Sequence, residues 1–252
     1  ALTAPPSITP APTLTPTPQI PPSTLLQTAD RQFVNGQYEQ AAAAYLAVFV
    51  DPAADPEQRS QAAFQQGRAL LRAGDFQGAV SAFTVLIDSF PQDTRSAQAY
   101  FLRADAYVAL SRWTEAINDY RQYLRARPNV IDGYAHERIG DAFIGMQFID
   151  DALASYAQAV QNERAPVPLL ALREKLAQVY LSAGDVTNAI AQYDAILATA
   201  QNEPYRALIE YAAAKALVDA GQLDIGLSRM QRIFNNYPSQ PAALDAMNTL
   251  IA

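Results

Sequence analysis

Residues 96–128 read SAQAYFLRADAYVALSRWTEAINDYRQYLRARP, two helical periods with one break between them. In the first, Tyr100, Ala104, Tyr107 and Val108 recur at spacings of three and four, which puts them on one face of an amphipathic helix. Ser111 interrupts that period. In the second, from about Thr114, Ala116, Ile117, Tyr120, Tyr123 and Leu124 share a face, and Pro128, with no N–H to donate, stops the helix. Small Ala104 and Ala116 suit the close approach of two antiparallel helices. Tyr100, Tyr107, Tyr120 and Leu124 are too bulky for one helix pair to bury alone, so the unit requires neighbours.

The rest of the chain supplies them. The interrupting residue recurs as Gly36, Gly74, Ser111, Gln147, Gly184 and Gly221, at spacings of 38, 37, 36, 37 and 37. Five residues after each stands a small residue: Ala41, Ala79, Ala116, Ala152, Ala189 and Gly226. Four further on stands a large one: Tyr45, Phe83, Tyr120, Tyr156, Tyr193 and Met230. Seven before each break lies a second small residue: Ala29, Gly67, Ala104, Gly140, Ala177 and Ala214. Pro91, Pro128 and Pro238 close second helices, with Pro52 and Pro166 near the equivalent places.

This register resembles the tetratricopeptide repeat, over about residues 23–238, in units slightly longer than the usual ~34 residues. The resemblance implies an all-α, right-handed α-solenoid of about six helix pairs. Ser111 and Gln147 depart from the usual turn glycine, and Val48, Leu86, Tyr123, Ile196 and Ile233 stand where the family often has alanine. The last stretch, residues 239–252, holds QPAALDAMNTLIA and reads as the first helix of a further unit or as a capping helix. Its apolar positions exceed what an outermost helix normally shows. The expectation is therefore that the natural protein continues.

Composition narrows the function. A net charge of −7, with 17% charged residues and only Lys175 and Lys215 as lysines, argues against nucleic acid as a partner. There is no cysteine, which rules out disulfides, thiolate metal sites and cysteine nucleophiles. The longest apolar run, Ala41 to Val50, is too short to span a bilayer. His136, the sole histidine, sits at a packing position, and without cysteine it cannot build an ordinary zinc site. Glycines occur singly, so no phosphate-cradling loop is present. Carboxylates such as Glu137 and Asp141 read as a solvated edge, not an acid/base couple. No catalytic residue and no cofactor is expected.

Residues 1–29 carry no charge and eight of the chain's 17 prolines, alternating with threonine. Residues 1–22 read as an extended, polyproline-like tether. At roughly 3.1 Å per residue it spans tens of ångströms, enough to hold a domain off an anchoring surface. An export signal upstream, with a lipid-carrying cysteine, is the inferred context. Residues 89–110 and 232–246 are similar to tetratricopeptide proteins of bacterial cell envelopes, both scaffold lipoproteins and the helical solenoids of soluble lytic transglycosylases. These similarities imply an exported, non-catalytic scaffold in a bacterial cell envelope. The rival readings are the N-terminal solenoid of a lytic transglycosylase, with its catalytic domain beyond this chain, and a self-assembling structural solenoid.

In such arrays the first helices line a concave groove. Carried over by register, the groove positions are Leu26, Asp30 and Phe33 in unit one, and Gln61, Phe64, Arg68 and Arg72 in unit two. Gln98, Phe101 and Asp105 follow in unit three, then Tyr134, Glu137 and Asp141 in unit four. Glu174 and Gln178 are the positions in unit five, and Tyr211 and Lys215 in unit six. The groove is expected to be aromatic with two arginines toward its start, and acidic in its middle. Its implied partner is a protein or an extended peptide stacking on Phe33, Phe64 and Phe101, and replacing Phe64 and Phe101 by alanine is expected to abolish binding without unfolding the chain. The same aromatics could equally serve only to pack against adjacent units. Asp30 and Asp105 disfavour the basic clamp by which chaperone-binding relatives hold a terminal carboxylate.

Overall fold

The computed structural model describes residues 20–251, so the tether assigned to residues 1–22 lies, except for its last three residues, outside the described residues. Thirteen α-helices account for most of what is described, and no strand occurs among those residues. They run in pairs: α1 (Pro22–Val34) with α2 (Tyr38–Val50), α3 (Pro56–Ala73) with α4 (Phe76–Ser89), and α5 (Thr94–Ala109) with α6 (Trp113–Ala126). Then come α7 (Asp132–Gly145) with α8 (Ile149–Asn162), α9 (Pro166–Ser182) with α10 (Val186–Thr199), α11 (Glu203–Asp219) with α12 (Leu223–Asn236), and last α13 (Pro241–Ile251). Every substantial helix–helix contact joins consecutive helices or first helices of adjacent units, the one-dimensional stacking that defines a solenoid.

Each pair turns at the residue that breaks the period. Gly36, Gly74, Ser111, Gln147, Gly184 and Gly221 all have positive φ, between 57° and 81°. At each, two backbone bonds close the preceding helix. At Gln147, for example, its N–H donates to the Ile144 carbonyl and the next N–H, of Phe148, to the Phe143 carbonyl. This double closure satisfies carbonyls that a helix end otherwise leaves without donors. Ser111 and Gln147 adopt the left-handed conformation despite their Cβ, at a cost of about 1–2 kcal/mol each.

The small and large registers explain the close packing within a unit. Ala29, Ala41, Ala79, Ala104, Ala116, Ala152, Ala177, Ala189 and Ala214 are wholly buried. A Cβ on Gly67 would stand 2.5 Å from the Phe83 ring, and one on Gly140 2.8 Å from the Tyr156 ring. In units two and four the large core residue thus lies directly on the small residue of its partner helix. The bulky departures from alanine are buried as well, Val48, Leu86, Ile196 and Ile233 completely. They fill a second layer between units. At the far end, α13 packs on α11 and α12 as α3 packs on α1 and α2.

One buried ion pair braces unit three and reaches unit two through a hydrogen bond. The Arg103 guanidinium on α5 donates to both Asp119 carboxylate oxygens on α6, at 2.7 and 2.9 Å, and to the Thr84 hydroxyl on α4 at 2.8 Å. Burial raises the Asp119 carboxyl above its ordinary value, against the pull of Arg103.

Candidate functional site

Among helices two apart, α1 with α3, α3 with α5 and α11 with α13 make the substantial contacts. These are first helices throughout, so they crowd together on the inner, concave side of the curve. A cleft of about 620 Å³ opens there between α3 and α5. Phe64 and Arg68 come from α3, and Gln98, Phe101 and Leu102 from α5. Tyr123 and Arg127 reach in from the end of α6, and Val130 and Ile131 from the connection to α7. Asn129, with φ 62°, turns that connection so that the two exposed aliphatic residues form its rim.

The floor is aromatic and rigid. The Phe101 ring stacks on Tyr134 at 5.7 Å between centroids and meets Tyr120 and Tyr123 edge-on at 5.1 Å each. Phe64 lies 6.2 Å from Phe83. The Arg68 guanidinium rests over Phe33 at 5.2 Å and Phe64 at 5.9 Å and donates to the Gln65 side-chain oxygen at 2.8 Å. Among the described residues, that single hydrogen bond and the two rings hold it in place. Among the described residues, none that lines the cleft is acidic.

Beyond the cleft, the inner face carries a repeated carboxylate. Asp30, Asp105 and Asp141 each accept a hydrogen bond from the tyrosine 15 residues on, Tyr45, Tyr120 and Tyr156, at 2.5, 2.6 and 2.6 Å. The large core residue of the second helix therefore touches the groove through its hydroxyl. Where that residue has no hydroxyl, the groove position is basic: Phe83 corresponds to Arg68, and Met230 to Lys215. Burial raises the Asp105 carboxyl, against the Tyr120 hydroxyl and Arg138. Arg138 approaches Asp105 at 3.5 Å and Asp141 at 3.7 Å, and Lys175 bonds Glu137 at 2.6 Å and Asp141 at 3.0 Å. Burial pulls the Lys175 ammonium down, but Glu137 and Asp141 outweigh it and hold the group above its ordinary value. Tyr205 donates to Glu174 at 3.2 Å, and its hydroxyl is pushed up to about 12 by burial and by that carboxylate.

The cleft gathers four of the residues expected in the groove: Phe64, Arg68, Gln98 and Phe101. Several other expectations need correction. Leu26 is 7% exposed and belongs to the core of unit one, because its helix presses that face against α2. Phe64 and Phe101, each 8% exposed, are core residues that show only an edge to the cleft, so they are not separable from the fold. Arg72 is exposed at the end of α3 and does not line the cleft, whose second arginine is Arg127. The acidic middle is neutralised in place, since Arg138 and Lys175 stand among Asp105, Glu137 and Asp141. Gln61, Glu174 and Tyr211 are half-buried, and Gln178 and Lys215 exposed, outside the cleft. Lys215 pairs locally with Asp219 at 2.6 Å. Arg127, Val130 and Ile131 escaped sequence reasoning because they lie after a second helix, where register assigns no groove position. His136 is half-buried, and burial lowers its imidazole.

Among the described residues, no helix is long and apolar enough to cross a membrane. Comparison with known proteins adds the following. The tetratricopeptide repeat family model matches residues 26–94, 64–131 and 138–204. Heat shock protein STI1 of Saccharomyces cerevisiae is 29% identical over 116 residues, 46% of this chain, and the chain spans only 18% of that relative's length. Among solved structures, MamA of Desulfovibrio magneticus RS-1 superposes with a TM-score of 0.58 at 17% identity, covering 69% of this chain and 92% of that one. YrrB, described as a TPR protein with an unusual peptide-binding site, gives 0.53 at 17% identity, covering 75% and 92%. At those identities the likeness shows the fold. With the family model matching well over half of its length and the solenoid built on the register that defines the repeat, the chain belongs to the tetratricopeptide repeat family.

Proposed function

We propose that this solenoid is a binding scaffold that holds an extended segment of a partner protein along its inner face, with the cleft between α3 and α5 as the anchoring subsite. The observation that carries the reading is the cleft itself: a preformed hollow of about 620 Å³ with an aromatic floor and an aliphatic rim. Concave apolar sites with a few convergent polar groups are where ligands gain most from burial. The rigidity of the floor lowers the ordering cost on binding. Similarity to YrrB, described as having a peptide-binding site, supports the same reading.

The test uses the rim, because Val130 and Ile131 are 55% and 37% exposed and can be changed without disturbing the core. Peptides selected on the whole chain from a random decapeptide library should lose at least tenfold in affinity to the Val130→Asp, Ile131→Asp variant, measured by fluorescence anisotropy. Unchanged affinity, with an unchanged circular dichroism spectrum, would remove the cleft from the argument.

The scaffold, as proposed, works in a bacterial cell envelope and is itself non-catalytic. The uncharged proline–threonine stretch and the envelope-like phrases at residues 89–110 and 232–246 support that placement. Fractionation of the tagged natural gene product tests it, and recovery in the cytoplasmic fraction would overturn it.

A further inference from the structure

Resting on the reading of the α3–α5 cleft as the anchoring subsite, we infer that its occupant is acidic: an extended peptide carrying an apolar side chain directly beside a carboxylate. Two other inner-face cations, Arg138 and Lys175, are spoken for. Arg138 sits between Asp105 and Asp141, and Lys175 between Glu137 and Asp141. The two cleft arginines differ. Among the described residues, neither Arg68 nor Arg127 has a carboxylate within ion-pair distance, and the cleft wall offers none.

Arg68 owes its freedom to the fold. In units one, three and four the core residue 15 positions on is a tyrosine whose hydroxyl anchors an aspartate at the corresponding groove position. In unit two that residue is Phe83, which anchors nothing, and the position is Arg68, laid across Phe33 and Phe64. A guanidinium stacked on aromatic faces keeps its in-plane N–H groups available, and its planar fork matches a carboxylate. Arg127 enters from the opposite wall, past the end of α6. Two cations lining one cleft with an apolar floor, in a chain of net charge −7, form a local basic spot that attracts an anionic group. The floor between them takes the neighbouring apolar side chain.

The experiment selects a phage-displayed library of random dodecapeptides on the whole chain, in parallel with an Arg68→Gln, Arg127→Gln variant. Both substitutions are at partly exposed side chains, and circular dichroism verifies the fold. Expected is enrichment of aspartate or glutamate next to an aliphatic or aromatic residue on the wild type, lost on the variant. Synthetic versions of the selected peptides should bind the variant at least tenfold more weakly, and the wild type several-fold more weakly at 300 mM than at 50 mM salt. Free and amidated C-termini, compared on the same peptides, separate a side-chain carboxylate from a terminal one. Apolar enrichment without acidic bias, or enrichment of lysine and arginine, would overturn this inference and leave the peptide-binding reading standing. No enrichment at all would overturn both. Tighter cleft binding by a synthetic peptide of residues 1–19, which has no side-chain charge, would also overturn it. So would a concentration-dependent dimer in sedimentation that blocks the selected peptides, since it would make a second copy the occupant.

Discussion

Removing Asp119 tests what the buried Arg103 pair contributes to unit three and to its contact with unit two. Its carboxylate is 8% exposed and receives both arms of Arg103, itself 14% exposed. Arg103 also donates to Thr84, and its guanidinium lies 5.5 and 5.8 Å from the Tyr100 and Tyr107 ring centroids. Asp119→Ala leaves a guanidinium that cannot deprotonate, enclosed by aromatics with one neutral hydroxyl as acceptor. Breaking a buried pair this way costs about 3–5 kcal/mol. Arg103→Met leaves a carboxylate instead, and a carboxylate can take up a proton. Burial already raises the Asp119 carboxyl, and without Arg103 it rises further. The folded Arg103→Met variant then binds a proton that the unfolded chain releases, so its stability falls as pH rises through the folded value. Its deficit relative to wild type should therefore be smaller at acid than at alkaline pH. Arg103→Met with Asp119→Leu should come within about 1 kcal/mol of wild type, or exceed it, because no uncompensated charge remains. Urea unfolding followed by circular dichroism and by fluorescence of Trp113, the sole tryptophan, reads all three variants at the right place. Trp113 begins α6, and its ring packs against Gly145 of the next unit. A loss below about 1 kcal/mol for Asp119→Ala, with no coupling to Arg103, would refute the argument.

Three further outcomes follow from the same packing. Gln147→Gly should relieve the left-handed strain at φ 62° and, after the entropy glycine adds to the unfolded chain, gain roughly 0.5–1 kcal/mol, seen as a Tm rise of about 2–3 °C. Tyr156→Phe removes the 2.6 Å donor to Asp141 and should cost about 1.5–3 kcal/mol in urea unfolding, whereas Tyr193→Phe, whose register partner is Gln178, should cost far less. Burial lowers the His136 imidazole, so the folded chain binds fewer protons than the unfolded one between the folded value and the ordinary 6.5. Stability contributed by the neutral ring is then full above that ordinary value and is lost as pH falls through the window. The imidazole C–H resonances of this single histidine should titrate below 6.5, and His136→Gln should flatten the stability profile there.

Much of the solenoid was legible because its determinants are local. The turn residues occur at intervals of 36 to 38, and all six sit at positive φ, including Ser111 and Gln147, which composition alone would not have marked. The small–large register was readable because two helices of one unit touch at fixed offsets from their turn, as Gly67 under Phe83 and Gly140 under Tyr156 demonstrate. Phe64, Arg68, Gln98 and Phe101 could be assigned to one inner face on the same ground, since helical period dictates which residues share a face.

Relations between units were beyond that reach. Whether Phe64 and Phe101 face the groove or the core depends on the rotation of one unit against the next, and the second buried layer of Val48, Leu86, Tyr123, Ile196 and Ile233 bears on that rotation. Arg138 and Lys175 find carboxylates on neighbouring helices only because long side chains bridge the step between units. Arg127, Val130 and Ile131 join the cleft because the chain turns at Asn129, off the helical register altogether. By itself, the amino-acid order determined the repeat, its turns and its close contacts, all consequences of the 3.6-residue period and of side-chain size. Tertiary structure alone decided which charges cancel and which remain free, because Coulombic partners are chosen by distance in space and not along the chain.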